Sequence, residues 1–239
     1  MRIITNESLI KRNRTIGQTT TIASLLVLAG GLYLSFQSSQ PQLVNFAFLA
    51  LLVGFLLSQV GIYFGNRWGK RPRPDEQLNA GLKGLEDRYT LYHYITPVSH
   101  LLVGPAGVWV LLPYPQQGKI TYEKGRWKHK GGNWYLKLFA QESLGRPDLE
   151  ASAGVTEIKR FFTRKMPEVQ ISPAQALLVF TNDKVSMESE EAPTPAVKIE
   201  KLKDFIRKKA KTPPIAPEIV STITDAIEGQ ASPSEEGEE

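Results

Sequence analysis

The sequence predicts an α/β protein in which a two-helix transmembrane hairpin precedes a mixed β-sheet domain flanked by helices. The stretch from Thr15 to Asn66 contains no charged residue, although the chain holds 29 Lys and Arg and 24 Asp and Glu residues. After this stretch, short segments of β-forming residues alternate with segments of helical periodicity. The chain has no cysteine, which excludes disulfides, thiolate zinc sites and a cysteine nucleophile.

The charge-free stretch contains two apolar segments, residues 16–36 and 43–64, which we expect to be transmembrane helices. Each reaches the length of about 20 residues that a helix needs to cross a bilayer. The residues between them include Pro41 and predict a tight reversal. A cleaved signal peptide is the less favoured interpretation, because a second apolar segment follows at once. A buried core hairpin is also disfavoured, since the remaining chain is too polar to cover both segments.

Basic residues flank the two apolar segments on their outer sides, and none lies between the segments. Because cytoplasmic loops carry the excess of Lys and Arg, this pattern places both termini in the cytoplasm. We therefore expect a multi-pass protein of the cell membrane with two spans, and the lipid bilayer is its first partner. The expected flanking segments are a cytoplasmic basic N-terminus (residues 1–15), a juxtamembrane linker (65–77) and an acidic, largely disordered tail (211–239). Within the tail, Ile219, Ile223 and Ile227 form a weak helical pattern.

The cytoplasmic domain is expected over residues 78–210, entered through a helix that starts just before it. Apolar runs bounded by Gly and Pro predict strands, and a 3.6-residue apolar period predicts helices. Residues 174–180 form a continuous apolar run, which is typical of a strand buried on both faces. The predicted helices are 75–88, 150–165 and 201–210; the predicted strands are 89–96, 100–103, 108–112, 118–123, 126–138, 174–180 and 196–199, with a polar loop over 182–195.

Residues 98–127 carry a series of short motifs in a recognisable order. The series is Val98-Ser99-His100, Gly104-Pro105-Ala106-Gly107, an apolar strand, Gly118-Lys119-Ile120 and Trp127. In order and spacing this frame resembles the core of the NERD (nuclease-related) domain family, and residues 176–183 are similar to a later strand of that family. The resemblance covers residues 78–210 and implies a restriction-endonuclease-like fold, with a central mixed sheet flanked by helices.

The resemblance also implies that the catalytic side chains of the family are missing. The active pattern has a strand Asp and a Glu-x-Lys, whose two carboxylates hold a divalent metal ion. The corresponding positions here are Ser99, Leu112 and Tyr114, and Pro113 is expected to end the strand before Tyr114. A downstream Gln of the family falls near Glu150. We therefore expect no catalytic residue, no metal ion, no cofactor and no enzymatic activity.

Two functional interpretations follow from a domain that has lost its catalytic groups. The first is an inactive nuclease relative that binds an unknown protein partner or acts as a scaffold. The second is a module that still binds nucleic acid, because aromatics among cations suit stacking on single strands. Basic runs are more commonly solvated faces, so nucleic acid is possible but not favoured. The residues that would make such contacts, or contacts to another anionic surface, are Lys124, Arg126, Trp127, Lys128, Lys130, Lys201, Arg207, Lys208 and Lys209.

A third interpretation is an active metal-dependent nuclease whose site has moved to other side chains. Glu86, Glu123 and His100 are the candidates, although nothing in their spacing requires them to meet. We favour solvated carboxylates and a structural histidine, and interpret His93 and His129 in the same way.

Overall fold

A computed structural model describes residues 1–37, 41–131, 144–167, 174–211 and 215–229 of the chain. The chain divides into two compact units. One unit consists of residues 7–73, and the other combines residues 1–6 with the chain from residue 74 onward.

The first unit consists of two long helices, α1 (Glu7–Phe36) and α2 (Pro41–Phe64), followed by a π-helical turn at Gly65–Gly69. Both helices are long and apolar enough to span a membrane. Their large apolar side chains point outward, with Leu26 69% and Phe48 70% exposed. The prediction of two apolar helices is confirmed. Helix α1 starts nine residues before the predicted span, and these residues were left out of the prediction because they include charged side chains.

Small residues at seven-residue intervals form the contact between α1 and α2. On α1 the buried positions include Gly17, Ser24 and Gly31, and on α2 they include Ala47 and Gly54. A Cβ added at Gly54 would lie 2.7 Å from Leu28 Cγ, so the two helices approach closely there. A seven-residue repeat keeps one face of each helix toward its neighbour, and small side chains allow this approach.

In its described residues, the second unit contains two β-sheets and four α-helices. Six strands form a sheet in the order β1-β2-β3-β4-β7-β9, and three form a sheet in the order β6-β5-β8. The strands are β1 (Arg2–Thr5), β2 (Thr90–His93), β3 (His100–Gly104), β4 (Gly107–Tyr114), β5 (Gly118–Glu123), β6 (Arg126–Lys130), β7 (Gln175–Phe180), β8 (Val185–Glu188) and β9 (Ala196–Lys198). The helices are α3 (Pro74–Gly81), α4 (Pro147–Lys165), α5 (Leu202–Lys209) and α6 (Pro217–Glu228), with a 3₁₀ turn at Ile199–Lys201 before α5.

The six-stranded sheet is mixed and is covered by helices on both faces. Strands β2, β3 and β4 form an antiparallel meander, and β4 pairs in parallel with β7 across the α4 connection. Residues of α3 and α5 pack on one face in a cluster that includes Leu177 and Val179. Residues of α4 and α6 pack on the other face. This confirms the mixed α/β architecture, because continuous apolar strands need cover on both sides.

Two segments expected outside the domain belong to it, and both predictions were wrong in this respect. The basic N-terminus contributes the edge strand β1, which pairs in parallel with β2. The expected disordered tail contributes α6, in which Ile223 and Ile227 are each 1% exposed. An ion pair between Arg2 and Glu228 joins the two segments. The weak helical pattern at Ile219, Ile223 and Ile227 does form a helix, but neither it nor a four-residue strand indicates by itself that it packs on the domain. Residues 230–239 lie outside the described part of the chain.

Smaller differences concern where elements end. The helix predicted over 75–88 ends at Gly81, and Gly84 soon afterwards adopts a φ of +80°, a left-handed conformation that suits glycine. The polar loop at 182–195 contains strand β8. Pro113 does not end β4, which continues to Tyr114. The pairing of β4 with β3 ends at Val110, so Pro113 has only β7 beside it. A proline, which has no N–H to donate, is tolerated at such a position. Residues 132–138 of one predicted strand lie outside the described residues.

Candidate functional site

The three predicted positions of the lost catalytic site lie at one end of the six-stranded sheet, where β3 begins and β4 ends. Leu101 of β3 pairs with Val110 of β4. This is the last pair of the two strands at this end, and Ser99 lies in the loop just before β3. Tyr114 follows Leu112 by two residues on the same face of β4, because strand side chains alternate. The structure therefore places Leu112 and Tyr114 on one face of β4, and Ser99 in the loop just before β3, at the same end of the sheet.

Tyr114 is held in this site by a buried hydrogen bond. Its side chain is 5% exposed and its ring stacks on Phe180 with centroids 5.5 Å apart. Its hydroxyl donates to Glu150 Oε2 at 2.7 Å. Burial, the hydrogen bond to Glu150 and the nearby Asp148 raise the pKa of Tyr114 far above its usual value. Tyr114 is thus a neutral donor, and its partner Glu150 lies near the position at which the resemblance places a Gln.

The other two positions offer little to a metal ion. Leu112 is half-buried and packs against two core clusters, the one beneath α4 and a third one beside the small sheet. The Ser99 carbonyl accepts a hydrogen bond from the Tyr94 N–H at 2.9 Å, which closes the loop between β2 and β3. An alkyl side chain cannot replace a carboxylate ligand, and a neutral phenol cannot replace a lysine.

The residues suggested for a displaced site lie in separate parts of the domain, each with its own partner. Glu86 forms an ion pair with Arg88. Glu123 lies in the small sheet and pairs with Lys128 at 2.8 Å, a hydrogen bond that lowers the pKa of Glu123. Within the described residues, no three His, Asp or Glu side chains are grouped closely enough to share a metal ion.

His100 belongs to a buried histidine pair that sequence reasoning missed. Its Nδ1 lies 2.8 Å from Nδ1 of His93, the residue paired with it across β2 and β3. His93 Nε2 lies 3.0 Å from Asn79 Oδ1 of α3. Because that amide oxygen only accepts, neutral His93 donates there and accepts from His100 at Nδ1. The separation of seven residues across a Ser- and Pro-containing loop is the only sequence signal for this pair.

His129 has a simpler role. Its Nε2 donates to the carbonyl of Gln117 at 2.7 Å, which ties β6 to the residue before β5. The contacts of all three histidines fit a structural role.

The basic hairpin of β5 and β6 is partly neutralised. Lys124 and Gly125 form its turn with φ values of 53° and 72°, as expected for a two-residue hairpin. Trp127 is half-buried, lies edge-on to Tyr122 with centroids 5.3 Å apart and packs against the third cluster. Lys128 is paired with Glu123. Arg126 and Lys130 are exposed at the two ends of β6.

The second basic run packs against a different surface. Arg207 of α5 donates to the carbonyl of Gly84 at 2.9 Å, and Lys209 lies over the ring of Phe205 at 5.6 Å. Lys201 and Lys208 are exposed. The fully buried Leu202 and Ile206 anchor the helix in the cluster beneath α3 and α5.

The two basic runs lie on opposite faces of the large sheet. Leu177 and Val179 of β7 pack with α5, whereas Leu178 and Phe180 pack with the small sheet. Neighbouring residues of a strand point to opposite faces, so the small sheet and α5 are separated by β7. One strand of nucleic acid would not contact both runs on a single surface.

Comparisons with family models, curated proteins and solved structures found no match to this chain.

Proposed function

We propose that the chain is a two-span membrane protein whose α/β domain is a catalytically inactive relative of the NERD nucleases and acts as a cytoplasmic binding or scaffold module. The proposal is carried by the side chains that stand where the resemblance aligns the catalytic residues. Leu112 is held by apolar packing, and Tyr114 is held by its hydrogen bond to Glu150. A mixed sheet with helices on both faces is the architecture that the resemblance implies.

The membrane part of the proposal is supported by the chain path. Strand β1 precedes α1 and pairs with β2, which follows α2. Two strands of one sheet must lie on the same side of a membrane, so the chain between them crosses an even number of times. The two exposed apolar helices meet that condition as a hairpin, and the basic residues that flank them support a cytoplasmic domain.

A cleavage assay tests the loss of catalysis. Purified full-length protein is expected to show no Mg²⁺- or Mn²⁺-dependent cleavage of DNA or RNA above a mock preparation from the same host. Without metal coordination the site lacks both a Lewis acid and an activated water, which supply several kcal/mol of transition-state stabilisation. Cleavage that disappears in Glu86→Ala or Glu123→Ala would contradict the proposal and support an active site at those residues.

Nucleic-acid binding without cleavage remains the second candidate, and charge reversal distinguishes it. The matched variants are Arg126→Glu with Lys130→Glu on β6, and Lys208→Glu with Lys209→Glu on α5. The proposal predicts no saturable binding of single-stranded DNA or RNA near physiological salt. Saturable binding that either pair of substitutions removes would favour the nucleic-acid module, because phosphate contacts dominate such affinity.

A further inference from the structure

An open groove with a basic rim lies between the β2–β3 loop and the end of α4. Its volume is about 680 Å³, and it is lined by Ile95, Thr96, Pro97, Phe161, Arg164 and Lys165. Pro97 and both cations are exposed, whereas Phe161 is buried beneath them. The groove therefore combines an apolar floor with two positive charges at its mouth, and it does not overlap the lost catalytic positions.

The basic residues at the end of α4 have no partner among the residues that the structure describes. Arg164 and Lys165 form the basic last turn of α4, and the exposed Lys159 and Arg160 precede them. Within the described residues, none of these four side chains makes an ion pair or a hydrogen bond. The helix dipole favours cations at a helix end, but it leaves their charge free to attract an external anion.

The loop side of the groove is preformed. Tyr94 adopts a φ of 60°, a left-handed conformation that is uncommon for a bulky residue. The loop is closed by the hydrogen bond from the Tyr94 N–H to the Ser99 carbonyl, and Thr96 Oγ1 donates to the Val98 carbonyl at 3.0 Å. Ile95 and Pro97 are thus presented by a constrained loop, which lowers the entropic cost of binding.

The loop side of the groove follows, in sequence, the end of β2 beside which the chain leaves the domain. The Asn6 N–H donates to the His93 carbonyl at 3.0 Å, and α1 begins at the next residue. Asn79 of α3, the helix through which the chain re-enters the domain, contacts the same histidine at 3.0 Å. Ile95 follows His93 by two residues, so the groove belongs to the region of the domain through which the chain leaves and returns.

We propose that this groove binds the anionic phosphate headgroup of a membrane lipid, so that the domain contacts the bilayer surface through Arg164 and Lys165. The inference rests on the proposed membrane attachment. Basic residues near an anionic leaflet are attracted to it, and the apolar floor suits the glycerol and upper acyl region of a lipid. The charge of the groove and its region of the domain favour a lipid over a soluble phosphate.

The test uses full-length protein in nanodiscs of zwitterionic lipid, with or without added phosphatidylglycerol. Because the chain has no native cysteine, Pro97→Cys supplies a single thiol at the mouth of the groove. Its reaction with a water-soluble maleimide is expected to slow roughly tenfold in the anionic discs, given the attraction of two cations. Ser152→Cys, at an exposed position of the same helix that does not line the groove, is expected to react equally in both discs.

Charge reversal locates the effect. Arg164→Glu with Lys165→Glu is expected to restore the fast reaction of Cys at position 97, whereas Lys208→Glu with Lys209→Glu on α5 is expected to leave it slow. Equal reaction rates in the two kinds of disc would overturn the proposal. Slow reaction that survives reversal of Arg164 and Lys165 would also overturn it, because other residues would then be responsible.

Two further controls distinguish lipid from free phosphate, and the lipid groove from the membrane attachment. Inorganic phosphate added to zwitterionic discs is expected to have no effect, and protection by phosphate alone would overturn the assignment to lipid. Leu26→Cys, on the exposed apolar surface of α1, is expected to be protected in both discs. Failure of that protection would overturn the membrane attachment itself, whereas protection at position 26 without an effect at position 97 would overturn only the lipid groove.

Discussion

At the scale of a single residue, Tyr114 is built into the core of the domain. Its ring stacks on Phe180 and its hydroxyl binds the carboxylate of Glu150. Tyr114→Phe should lower the free energy of unfolding by about 1 kcal/mol, the usual value of such a hydrogen bond. A double-mutant cycle with Glu150→Gln in thermal denaturation measures the coupling. A coupling near zero would show that the hydrogen bond does not hold the site together.

Tyr92 makes a prediction about alkaline stability. Burial, with a further contribution from the Glu228 carboxylate that accepts its hydroxyl, raises the pKa of Tyr92 to about 12 from its usual 10.0. Above pH 10 the unfolded chain loses this proton while the folded chain keeps it. The free energy of unfolding should therefore fall between about pH 10 and pH 12. In chemical denaturation of the detergent-solubilised chain, Tyr92→Phe should flatten this decline; an identical slope would contradict the assignment.

At the scale of elements, the packing of α1 on α2 depends on small residues at defined positions. Gly54→Ala places a methyl group against Leu28, at a separation that real Cβ atoms do not adopt, and should cost about 1–3 kcal/mol through overpacking. Gly30→Ala is the matched control, because a Cβ there meets nothing within 4 Å. It should be neutral or stabilise the helix by up to about 1 kcal/mol. Unfolding in mixed micelles, followed by circular dichroism, compares the two; equal effects would argue against the close contact.

Strand β1 gives a second comparison between neighbouring residues. Ile4 packs against the cluster beneath α4 and α6, whereas Ile3 is 43% exposed. Ile4→Ala should destabilise the domain by roughly 1–2 kcal/mol, and Ile3→Ala by under about 0.5 kcal/mol. Faster hydrogen exchange of the β2 amides would report the loss of the edge strand β1. The same effect at both positions would mean that β1 is not seated on this face.

The elements that sequence reasoning predicted are those whose signal is local. A long stretch without charge identifies two apolar helices, because charges inside a bilayer are costly. The apolar runs at 108–112 and 174–180 identify central strands, because a strand covered on both faces has apolar side chains on both. Strands β1 and β8 were missed because four half-exposed residues have no clear period, and their conformation depends on pairing with distant strands. The histidine pair was missed because it depends on the register of β2 with β3.

At the scale of the molecule, the domain is assembled from both sides of the apolar helices. A fragment of residues 74–211 lacks β1 and α6, and so leaves the cluster around Tyr92 and Val103 without the cover of Ile223 and Ile227. We therefore expect residues 74–229 to melt cooperatively and at a higher temperature than residues 74–211. Burial of two isoleucines contributes about 1.5–3 kcal/mol each. Equal melting temperatures would show that α6 adds nothing to the core.

The topology of the hairpin is the claim on which the account of the whole molecule depends. Single cysteines at Ser39, between the two apolar helices, and at Ser152, on the exposed surface of α4, can be compared in intact cells with a membrane-impermeant thiol reagent. The proposed topology predicts that Cys at position 39 is labelled from outside, and that Cys at position 152 is labelled only after permeabilisation. Labelling of position 152 in intact cells, with position 39 protected, would contradict the cytoplasmic placement of the domain.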